Sequence, residues 1–360
     1  MIRYGVIGTG MMGVEHISTI GQLDNAVVTA IADPYPSSLA AGARAVGPNK
    51  SVQQFDDYRN LLASGICDAV VIATPNFTHA DVLADVLTTG HHVMVEKPLC
   101  TTVADCQRMI QLELTSRPVD VHRCVWMGLE YRYMAPTQAL IGQVRTGILG
   151  DVQMVSIREH RFPFLSKVGD WNRFSANTGG TLVEKACHFF DLMNQIVGEQ
   201  PQRVMASGGQ NVNHLDEWYN GVRSDILDSA YVVVEYNGGV RGMLDLCMFA
   251  EASKNEQELC VVGSSGKCEA LVTESVLRTG LRRDGIGSYM DQLIARPATN
   301  HTGMHHGATY HEHVEFAAAI RNGQTAGVTL EDGLWAVAVG EAAHRSISLR
   351  RAVDMSEVVK

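Results

Sequence analysis

The sequence lacks the charge blocks and long apolar stretches that mark several classes of protein. Among its 360 residues, acidic side chains outnumber basic ones by 39 to 29, and no five like charges stand in a row. Because nucleic acids and anionic membrane surfaces attract basic proteins, we expect neither as a partner. No uninterrupted apolar run approaches the roughly eighteen residues of a transmembrane helix. Internal repeats and low-complexity segments are also missing.

Signals for disulfides and secretion are equally weak. Eight cysteines are present, but no two of them form a C-x-x-C pair. The first residues enter a strand pattern without the basic and then apolar segments of a signal peptide. We therefore expect free thiols, a reducing compartment and a cytoplasmic protein.

The length of the chain predicts two domains, each large enough to bury a core. A hydrophobic content of 46% and a charged content of 19% are ordinary for a globular protein. We place the boundary at the point where the sequence pattern changes, which gives domains of residues 1–125 and 126–360.

A glycine-rich turn near the N-terminus carries the clearest motif. Gly8, Gly10 and Gly13 follow a short apolar strand with G-x-G-x-x-G spacing and precede a helical segment. The first glycine permits a tight turn, the second lets the main chain approach a pyrophosphate, and the third lets helix and strand pack closely. The main-chain amides of Met11 and Met12 at the helix start would then hold the phosphates. A glycine-rich turn with no ligand is the alternative.

An aspartate beyond this motif indicates which dinucleotide binds. Asp33 ends a second apolar strand, residues 27–32, and lies twenty residues after Gly13. A carboxylate there can accept hydrogen bonds from the adenosine ribose diol and repels a 2′-phosphate. The sequence therefore predicts NAD rather than NADP as cofactor, with an ordinary strand-end aspartate as the alternative.

Polar residues follow two further apolar strands. Thr74, Pro75 and Asn76 follow the third strand, and Glu96 and Lys97 follow the fourth. Ligands bind at the carboxyl ends of strands in open α/β sheets, so Thr74 and Asn76 are expected to hydrogen-bond the cofactor. Charged residues directly after a buried strand are costly unless they are exposed or used. A T-P-N turn alone is common and decides nothing.

The first part of the chain alternates strands with helices, which predicts an α/β Rossmann domain with a parallel sheet and right-handed crossovers. Its predicted strands are residues 4–7, 27–32, 69–73, 92–95 and 119–125. Its predicted helices cover or include residues 18–23, 36–45, 58–64, 79–89 and 101–116.

The second part is rich in β-branched and alternating segments separated by turns, which predicts an α+β domain with a large, mainly antiparallel open sheet. Its predicted strands are residues 153–162, 203–208, 230–236, 240–249, 258–262 and 268–272. Its predicted helices are residues 136–146, 312–322 and 331–348.

A second polar motif lies within residues 178–191. Two glycines precede a predicted helix on which Glu184, His188 and Asp191 are spaced i, i+4 and i+7, so that they share one face. A carboxylate one turn from an imidazole can orient it as a catalytic base. Three alternatives remain: His188 is a buried structural histidine, the three side chains bind a metal, or Lys185 is merely solvated. We favour a site without a metal.

These motifs together resemble the Gfo/Idh/MocA family of oxidoreductases over nearly the whole chain. The resemblance rests on residues 8–13 with His16, on Thr74-Pro75-Asn76 with His79, and on Glu96-Lys97-Pro98. It implies that Lys97 lies beside the substrate and the nicotinamide, and that the bond between Lys97 and Pro98 is cis. It also implies that His79, Glu96 and Lys97 belong to the cofactor site.

In the second motif the family carries G-G-x-x-x-D-x-G-x-H-x-x-D, with a catalytic aspartate and histidine. His188 and Asp191 match this pattern, whereas Glu184 stands at the aspartate position, Ala186 at the glycine position, and Lys185 adds a cation. The resemblance therefore implies that His188, Glu184 and Lys97 are catalytic, and it leaves the identity of the substrate open.

The implied activity is NAD-dependent oxidation of a secondary ring hydroxyl of a sugar, glycoside or inositol to a ketone. His188 would take the hydroxyl proton, Lys97 would donate a hydrogen bond to the same oxygen, and Glu184 would orient His188. Inositols and glucosides are the leading substrates, while the arginines among the pocket residues leave room for a sugar acid. The residues expected to bind substrate are Lys97, Arg161, Asn172, Arg173, Lys185, His188 and His306.

The resemblance further implies a homodimer or homotetramer formed through the free face of the second sheet. Two other functions compete with a dehydrogenase. One is a catalytically silent NAD(H)-binding regulator of the same fold. The other is a structural oligomer that uses only the sheet, which leaves the glycine motif and Asp33 unexplained.

Overall fold

The computed structural model describes residues 1–48, 51–116, 122–296, 299 and 303–360. These residues form two compact units. The first unit comprises Met1–Glu130, Lys167–Trp171 and Ala298–Leu334, and the second comprises Tyr131–Ser166, Asn172–Pro297 and Trp335–Lys360. A boundary between functional domains after residue 125 stays a prediction.

The sheet of the first unit has six strands: β1 (Ile2–Ile7), β2 (Ala26–Ala32), β3 (Gln53–Phe55), β4 (Ala69–Ile72), β5 (His92–Glu96) and β6 (Val125–Gly128). Their order is β3-β2-β1-β4-β5-β6, and all neighbours run parallel. Every residue of β4 is buried, as expected for a parallel strand covered on both faces. The predicted Rossmann domain is confirmed, although the short strand β3 was not predicted.

The second unit contains these strands: β7 (Val152–His160), β8 (Pro201–Gly209), β9 (Trp218–Tyr219), β10 (Val222–Arg223), β11 (Ser229–Tyr236), β12 (Arg241–Cys247), β13 (Gln257–Gly263), β14 (Gly266–Leu271), β15 (Val276–Leu281), β16 (Met290–Leu293) and β17 (Val353–Asp354). Nine of them form an open sheet in the order β16-β15-β14-β13-β7-β12-β11-β8-β17, while β9 pairs with β10. Within the described residues, β7 and β12 are the parallel pair of this sheet and its other neighbours are antiparallel. The prediction of a large, mainly antiparallel open sheet is confirmed.

The α-helices are α1 (Met11–Ile20), α2 (Pro36–Val46), α3 (Tyr58–Ala63), α4 (His79–Leu87), α5 (Val103–Thr115), α6 (Ala135–Arg145), α7 (Ser175–Thr178), α8 (Thr181–Glu184), α9 (Cys187–Val197), α10 (Ala308–Asn322) and α11 (Leu330–Leu349). Short 3-10 turns add Asn76–Thr78, Glu130–Tyr133 and Val168–Arg173. None of the described helices has the length and apolarity required to cross a membrane. The eight cysteines, all at described positions, are free thiols, as predicted.

The prediction of one continuous helix through the second polar motif is wrong. α8 and α9 are separated by Lys185 and Ala186, whose N–H groups both bond to the carbonyl of Thr181. The second of these bonds spans five residues, which widens the turn and interrupts the regular helix. Glu184 and His188 consequently lie on separate short helices.

The last predicted strand of the first domain exists as β6, but its predicted bounds, residues 119–125, are wrong where they can be assessed. Residues 119–121 lie outside the described residues, and β6 begins only at Val125. Before it, the N–H of Cys124 donates to the imidazole of His92 at 3.0 Å instead of to a neighbouring main chain. This side-chain bond replaces a ladder hydrogen bond and delays the start of the strand.

Candidate active site

The glycine motif of the first unit has the geometry that each glycine was predicted to need. Gly8 has a φ of +88°, and a Cβ there would lie 2.6 Å from the carbonyl oxygen of Ala73. A Cβ on Gly13 would lie 2.0 Å from the carbonyl oxygen of Gly8, so helix and strand leave no room for one. A Cβ on Gly10, in contrast, would meet no described atom within 4 Å. The turn is therefore closed behind Gly8 and Gly13 and open at Gly10, where a pyrophosphate would approach.

Asp33 lies at the carboxyl end of β2, beside this turn. Its Oδ2 accepts hydrogen bonds from the N–H of Thr9 at 2.8 Å and from the Thr9 hydroxyl at 3.3 Å. Its Oδ1 accepts the N–H of Tyr35 at 2.9 Å. The main chain thus fixes a nearly buried carboxylate where an adenosine ribose is expected, and this arrangement suits NAD.

A chain of buried hydrogen bonds ends at the main chain of Lys97. His16 Nε2 lies 2.8 Å from Glu96 Oε1, and His16 Nδ1 lies 2.8 Å from His313 Nε2. The other oxygen of Glu96 accepts the N–H of Lys97 at 3.1 Å. Glu96, predicted as a cofactor ligand, is therefore seen to hold the Lys97 main chain, and its contact with a cofactor stays a prediction.

The charges of this chain follow from its contacts. Burial opposes protonation of His16, but the hydrogen bond and charge of Glu96 outweigh it, so the pKa of His16 is raised. Burial likewise opposes ionisation of Glu96, yet His16 lowers the pKa of that carboxyl below its usual value. Burial and the neighbouring His16 hold the pKa of His313 well below its usual range. A protonated His16 can then donate to both neighbours, with neutral His313 accepting through Nε2.

The two remaining strand-end motifs are tied together by His79. The peptide bond between Lys97 and Pro98 is cis, as the resemblance implied. The imidazole nitrogens of His79 face the carbonyl oxygens of Pro98 at 2.8 Å and Thr74 at 3.0 Å. This side chain braces one turn against the other, and a direct cofactor contact by His79 stays a prediction.

Asn76 offers an independent indication that a ligand belongs at these strand ends. The residue follows β4 and the turn at Pro75, and it is buried. Its amide nitrogen has no hydrogen-bond partner among the described residues. Because buried amide groups nearly always find partners, this donor fits an acceptor on a bound cofactor. The first unit therefore fits NAD through the open turn at Gly10, the fixed carboxylate of Asp33 and this amide.

His188 of the second unit lies beneath an aromatic ring. It sits in the first turn of α9, and its imidazole stacks on the ring of Tyr131 with centroids 3.9 Å apart and planes 6° apart. Each of the two residues is only 2% exposed. Tyr131 was not predicted to be part of the site.

Lys185 is buried and bonded, so the alternative of a solvated lysine is wrong. Its ammonium donates to the hydroxyl of Tyr131 at 2.7 Å and forms an ion pair with Glu159 Oε1 at 2.9 Å. Glu159 is completely buried and also accepts Arg161 Nη1 at 3.3 Å. Lys185 thus links the tyrosine that covers His188 to a buried cluster of charged groups. A substrate contact by Lys185 stays a prediction.

The carboxylates predicted beside His188 have separate surroundings. Asp191 is held by the guanidinium of Arg132, whose Nε donates at 2.7 Å and whose Nη2 makes a second bond. Glu184 ends α8 and is buried. Its predicted role of orienting His188 stays a prediction. Within the described ranges, no group of three potential ligands is arranged to hold a metal ion.

The other predicted substrate-binding residues are mostly engaged within the chain. Arg161 pairs with Glu159, and buried Arg173 pairs through Nε with Glu217 Oε2 at 2.9 Å. Asn172 is fully buried and donates to the carbonyl of Leu165 at 2.9 Å, while its Oδ1 has no partner among the described residues. His306 is partly buried with a φ of +55° in the segment before α10.

Sequence reasoning missed Tyr131 and Glu159, which lie far from His188 along the chain. Weak signals for both exist. Tyr131 stands in the arginine-containing turn before α6, and Glu159 stands two residues before Arg161 on the alternating strand β7. That alternation places Glu159 on the same side of β7 as the core residue Ile157, where an unpaired carboxylate would be costly.

The parallel sheet, the glycine turn and the fixed Asp33 define an NAD-binding oxidoreductase fold. Residues 2–119 match the family described as "Oxidoreductase family, NAD-binding Rossmann fold", and residues 141–355 match "Oxidoreductase family, C-terminal alpha/beta domain". The chain belongs to the Gfo/Idh/MocA family of oxidoreductases, and its cofactor is NAD.

Relatives of known name cover nearly the whole chain. The chain is 28% identical to a myo-inositol 2-dehydrogenase of Thermotoga maritima, over 99% of this chain and 100% of the relative. It is 26% identical to an inositol 2-dehydrogenase of Rhizobium meliloti, over 99% of each. Among solved structures, a levoglucosan dehydrogenase in complex with NADH and levoglucosan superposes with a TM-score of 0.84 at 20% identity, over 98% of this chain and 99% of that chain. The last likeness concerns the fold alone.

Proposed function

We propose that this protein is an NAD-dependent dehydrogenase that oxidises a secondary ring hydroxyl of an inositol or a neutral sugar derivative to a ketone. The observation that carries the proposal is the strand end Glu96-Lys97-Pro98, held by His16 within a complete Rossmann sheet. The named relatives, which match 99% of the chain, support the same substrate class.

In the proposed reaction, His188 accepts the proton of the substrate hydroxyl and Lys97 donates a hydrogen bond to the same oxygen. Burial of His188 beneath Tyr131 limits competition from water for the imidazole. Glu184 is proposed to support the imidazolium that forms. When bound, NAD supplies the acceptor for the hydride, and the open turn at Gly10 with Asp33 would hold it.

A neutral polyol is favoured over a sugar acid by the pairing of the nearby arginines. Arg161 and Arg173 already bind the carboxylates of Glu159 and Glu217. A substrate carboxylate would have to compete with these internal partners. We therefore place inositols and glucosides ahead of uronic acids.

The proposal is tested by measuring reduction of NAD and of NADP with inositols, free hexoses, glucosides and uronic acids. Turnover is expected with NAD and a neutral ring substrate. Lys97→Ala and His188→Ala should each lower kcat by about a hundredfold or more, because each removes a group acting on the reacting oxygen. NAD affinity, measured by calorimetry, should be nearly unchanged.

Matched controls are Lys254→Ala, at an exposed lysine, and His311→Ala, on α10. Both should turn over like the wild type. Wild-type kcat in either the Lys97 or the His188 variant would refute the assignment of that residue. NAD binding without reduction by any of the four substrate classes would favour a catalytically silent NAD(H)-binding regulator.

We also propose that the protein is cytoplasmic and forms a homo-oligomer. The subunits would meet through the free face of the nine-stranded sheet. On this face Met205, Val233 and Met243 are paired across the adjacent strands β8, β11 and β12. Tyr231 is 62% exposed and Met205 57% exposed in the single chain. An apolar surface of this kind is typical of a subunit interface. Sedimentation analysis should give a dimer or tetramer that Met205→Glu with Met243→Glu dissociates, and a monomeric wild type would refute it.

A further inference from the structure

The parallel stack of Tyr131 on His188 limits the orientations open to the imidazole. With centroids 3.9 Å apart and planes 6° apart, the phenol ring covers one face of the imidazole. Rotation of the imidazole about its bond to Cβ would drive its edge into the phenol ring. Both rings are almost fully buried, so solvent provides no free space for such a rotation.

The tyrosine is itself held in place by its hydroxyl and by its ring edge. Its oxygen accepts Lys185 Nζ at 2.7 Å and Gln257 Nε2 at 3.3 Å. Phe189 packs edge-on against its ring, with centroids 5.7 Å apart and planes 68° apart. A phenol restrained at both its oxygen and its ring is a rigid surface for the imidazole.

The ammonium of Lys185 is the charged part of this support. It is bonded to Glu159 at 2.9 Å, and Arg161 shares the same carboxylate oxygen at 3.3 Å. Burying such charges costs free energy that hydrophobic residues would not cost, so fold stability alone does not account for them. Lys185 also stands between α8 and α9, three residues before His188, and thus connects the tyrosine to the helix that carries the imidazole.

We propose that Tyr131 is a positioning residue for His188, and that Lys185 acts through the Tyr131 hydroxyl and not on the substrate. This inference rests on the proposed function, in which His188 is the base. It assigns a role to a residue that sequence motifs do not mark, and it changes the expected role of Lys185 from substrate binding to support.

The first experiment separates the ring of Tyr131 from its hydroxyl. Tyr131→Leu removes the stack and should lower kcat by about tenfold or more, since small misplacements of a catalytic group are costly. Tyr131→Phe keeps the stack and should retain at least about a third of the wild-type kcat. KM for both NAD and the polyol should change less than about twofold in each variant, because neither change removes a substrate contact.

The second experiment asks whether Lys185 acts through that hydroxyl. Lys185→Met should lower kcat about as much as Tyr131→Phe, and the double variant should be no worse than either single variant. Because Lys185→Met leaves Glu159 partly unpaired, Lys185→Met with Glu159→Gln serves as a second version with the charge removed. Melting temperature and circular dichroism establish that each variant is folded.

A spectroscopic measurement tests the stack without turnover. In protein with labelled histidine, the ring current of Tyr131 should shift the His188 Cε1–H resonance upfield. Tyr131→Phe should keep this shift, and Tyr131→Leu should abolish it. His188→Ala identifies the resonance by its disappearance.

Distinct results overturn the two proposals. If His188→Ala loses activity but Tyr131→Leu keeps the wild-type kcat, the positioning role is wrong while the dehydrogenase assignment survives. If Lys185→Met raises the polyol KM and adds fully to Tyr131→Phe, Lys185 acts on the substrate. If His188→Ala turns over like the wild type, the proposed base fails and the positioning role fails with it. An unshifted His188 resonance in the folded wild type would also overturn the stack.

Discussion

The two units hold their functional residues by different means. In the first unit, main-chain groups do most of the holding: Asp33 is fixed by the N–H groups of Thr9 and Tyr35, and Glu96 holds the N–H of Lys97. In the second unit, side chains hold side chains. His188 is covered by a tyrosine whose hydroxyl is bound by Lys185.

This difference shows what each unit can tolerate. A site made of main-chain groups depends on the path of the backbone, so a single added methyl group can destroy it. A site made of buried charged side chains tolerates small changes of the backbone but not the loss of one charge, because the partner is then left uncompensated. Three expected results sharpen this comparison.

The largest effect, on stability and NAD binding together, is expected for Gly13→Ala in the first unit. The added Cβ would lie 2.0 Å from the carbonyl oxygen of Gly8, and neither main chain can move away without opening the turn. Calorimetry should find a loss of unfolding free energy of about 3 kcal/mol or more, together with loss of NAD binding. Gly10→Ala is the matched control, since its Cβ meets no described atom within 4 Å.

The control variant should stay within about 1 kcal/mol of wild-type stability. It should nevertheless bind NAD more weakly, because the methyl group occupies the approach of the pyrophosphate. Equal stability of the Gly13→Ala and Gly10→Ala proteins would contradict a site built on the main chain.

The next effect is expected for Arg132→Met in the second unit. Arg132 holds Asp191 through two bonds, and Asp191 is only 2% exposed. Removal of the guanidinium should lower the free energy of unfolding, measured with urea, by about 3–5 kcal/mol. Arg3→Met, which breaks an exposed pair with Asp68, should destabilise the protein far less, because water and salt screen that pair. Similar losses of stability in the two variants would contradict the expectation that burial makes the Arg132–Asp191 pair more important than the Arg3–Asp68 pair.

The smallest effect is a pH dependence of stability that has opposite signs for one histidine of each unit. In the second unit, His344 Nε2 accepts the N–H of Leu182 at 3.1 Å, and burial lowers the pKa of His344 to about 4. The contribution of His344 to the free energy of unfolding is fully present above pH ~6.5 and is lost as the pH falls through about 4. It reaches at most about 3 kcal/mol. In the first unit the raised pKa of His16 gives a contribution that is full below pH ~6.5 and lost as the pH rises through the raised pKa.

Thermal unfolding of the wild type, His344→Asn and His16→Asn between pH 4 and pH 9 measures this contrast. The difference in melting temperature between His344→Asn and the wild type should shrink toward pH 4, where the wild type loses the stability that His344 contributes. The difference for His16→Asn should shrink toward high pH. Unfolding curves that stay parallel across the range would contradict both assignments.

Much of the fold could be predicted because its signals are local. The glycine motif, the apolar strands and the aspartate at the end of β2 lie within about thirty residues, and each has a backbone reason for its residue type. The cis bond before Pro98 was implied by the resemblance and is confirmed. The alternation of apolar and polar residues also predicted the sheet of the second unit. Strands such as β3 and β17 are too short to show a detectable pattern.

The surroundings of His188 could not be predicted, for two physical reasons. The helical spacing of the polar residues predicted a continuous helix through Lys185. In the structure the turn at Lys185 widens, which places Glu184 and His188 on separate helices. Residues that are 57 positions apart, such as Tyr131 and His188, meet only because the second unit folds around them. No local periodicity encodes such a contact.

By itself, the sequence determined the Rossmann sheet, the choice of NAD and the positions of the strand-end residues, because hydrogen-bond geometry and apolar periodicity act over a few residues. Only the tertiary structure decided that Lys185 is buried against Glu159 and Tyr131, and that a phenol ring covers His188. Burial is a property of the folded chain as a whole, and it determines whether a charged side chain is solvated or becomes part of a rigid support.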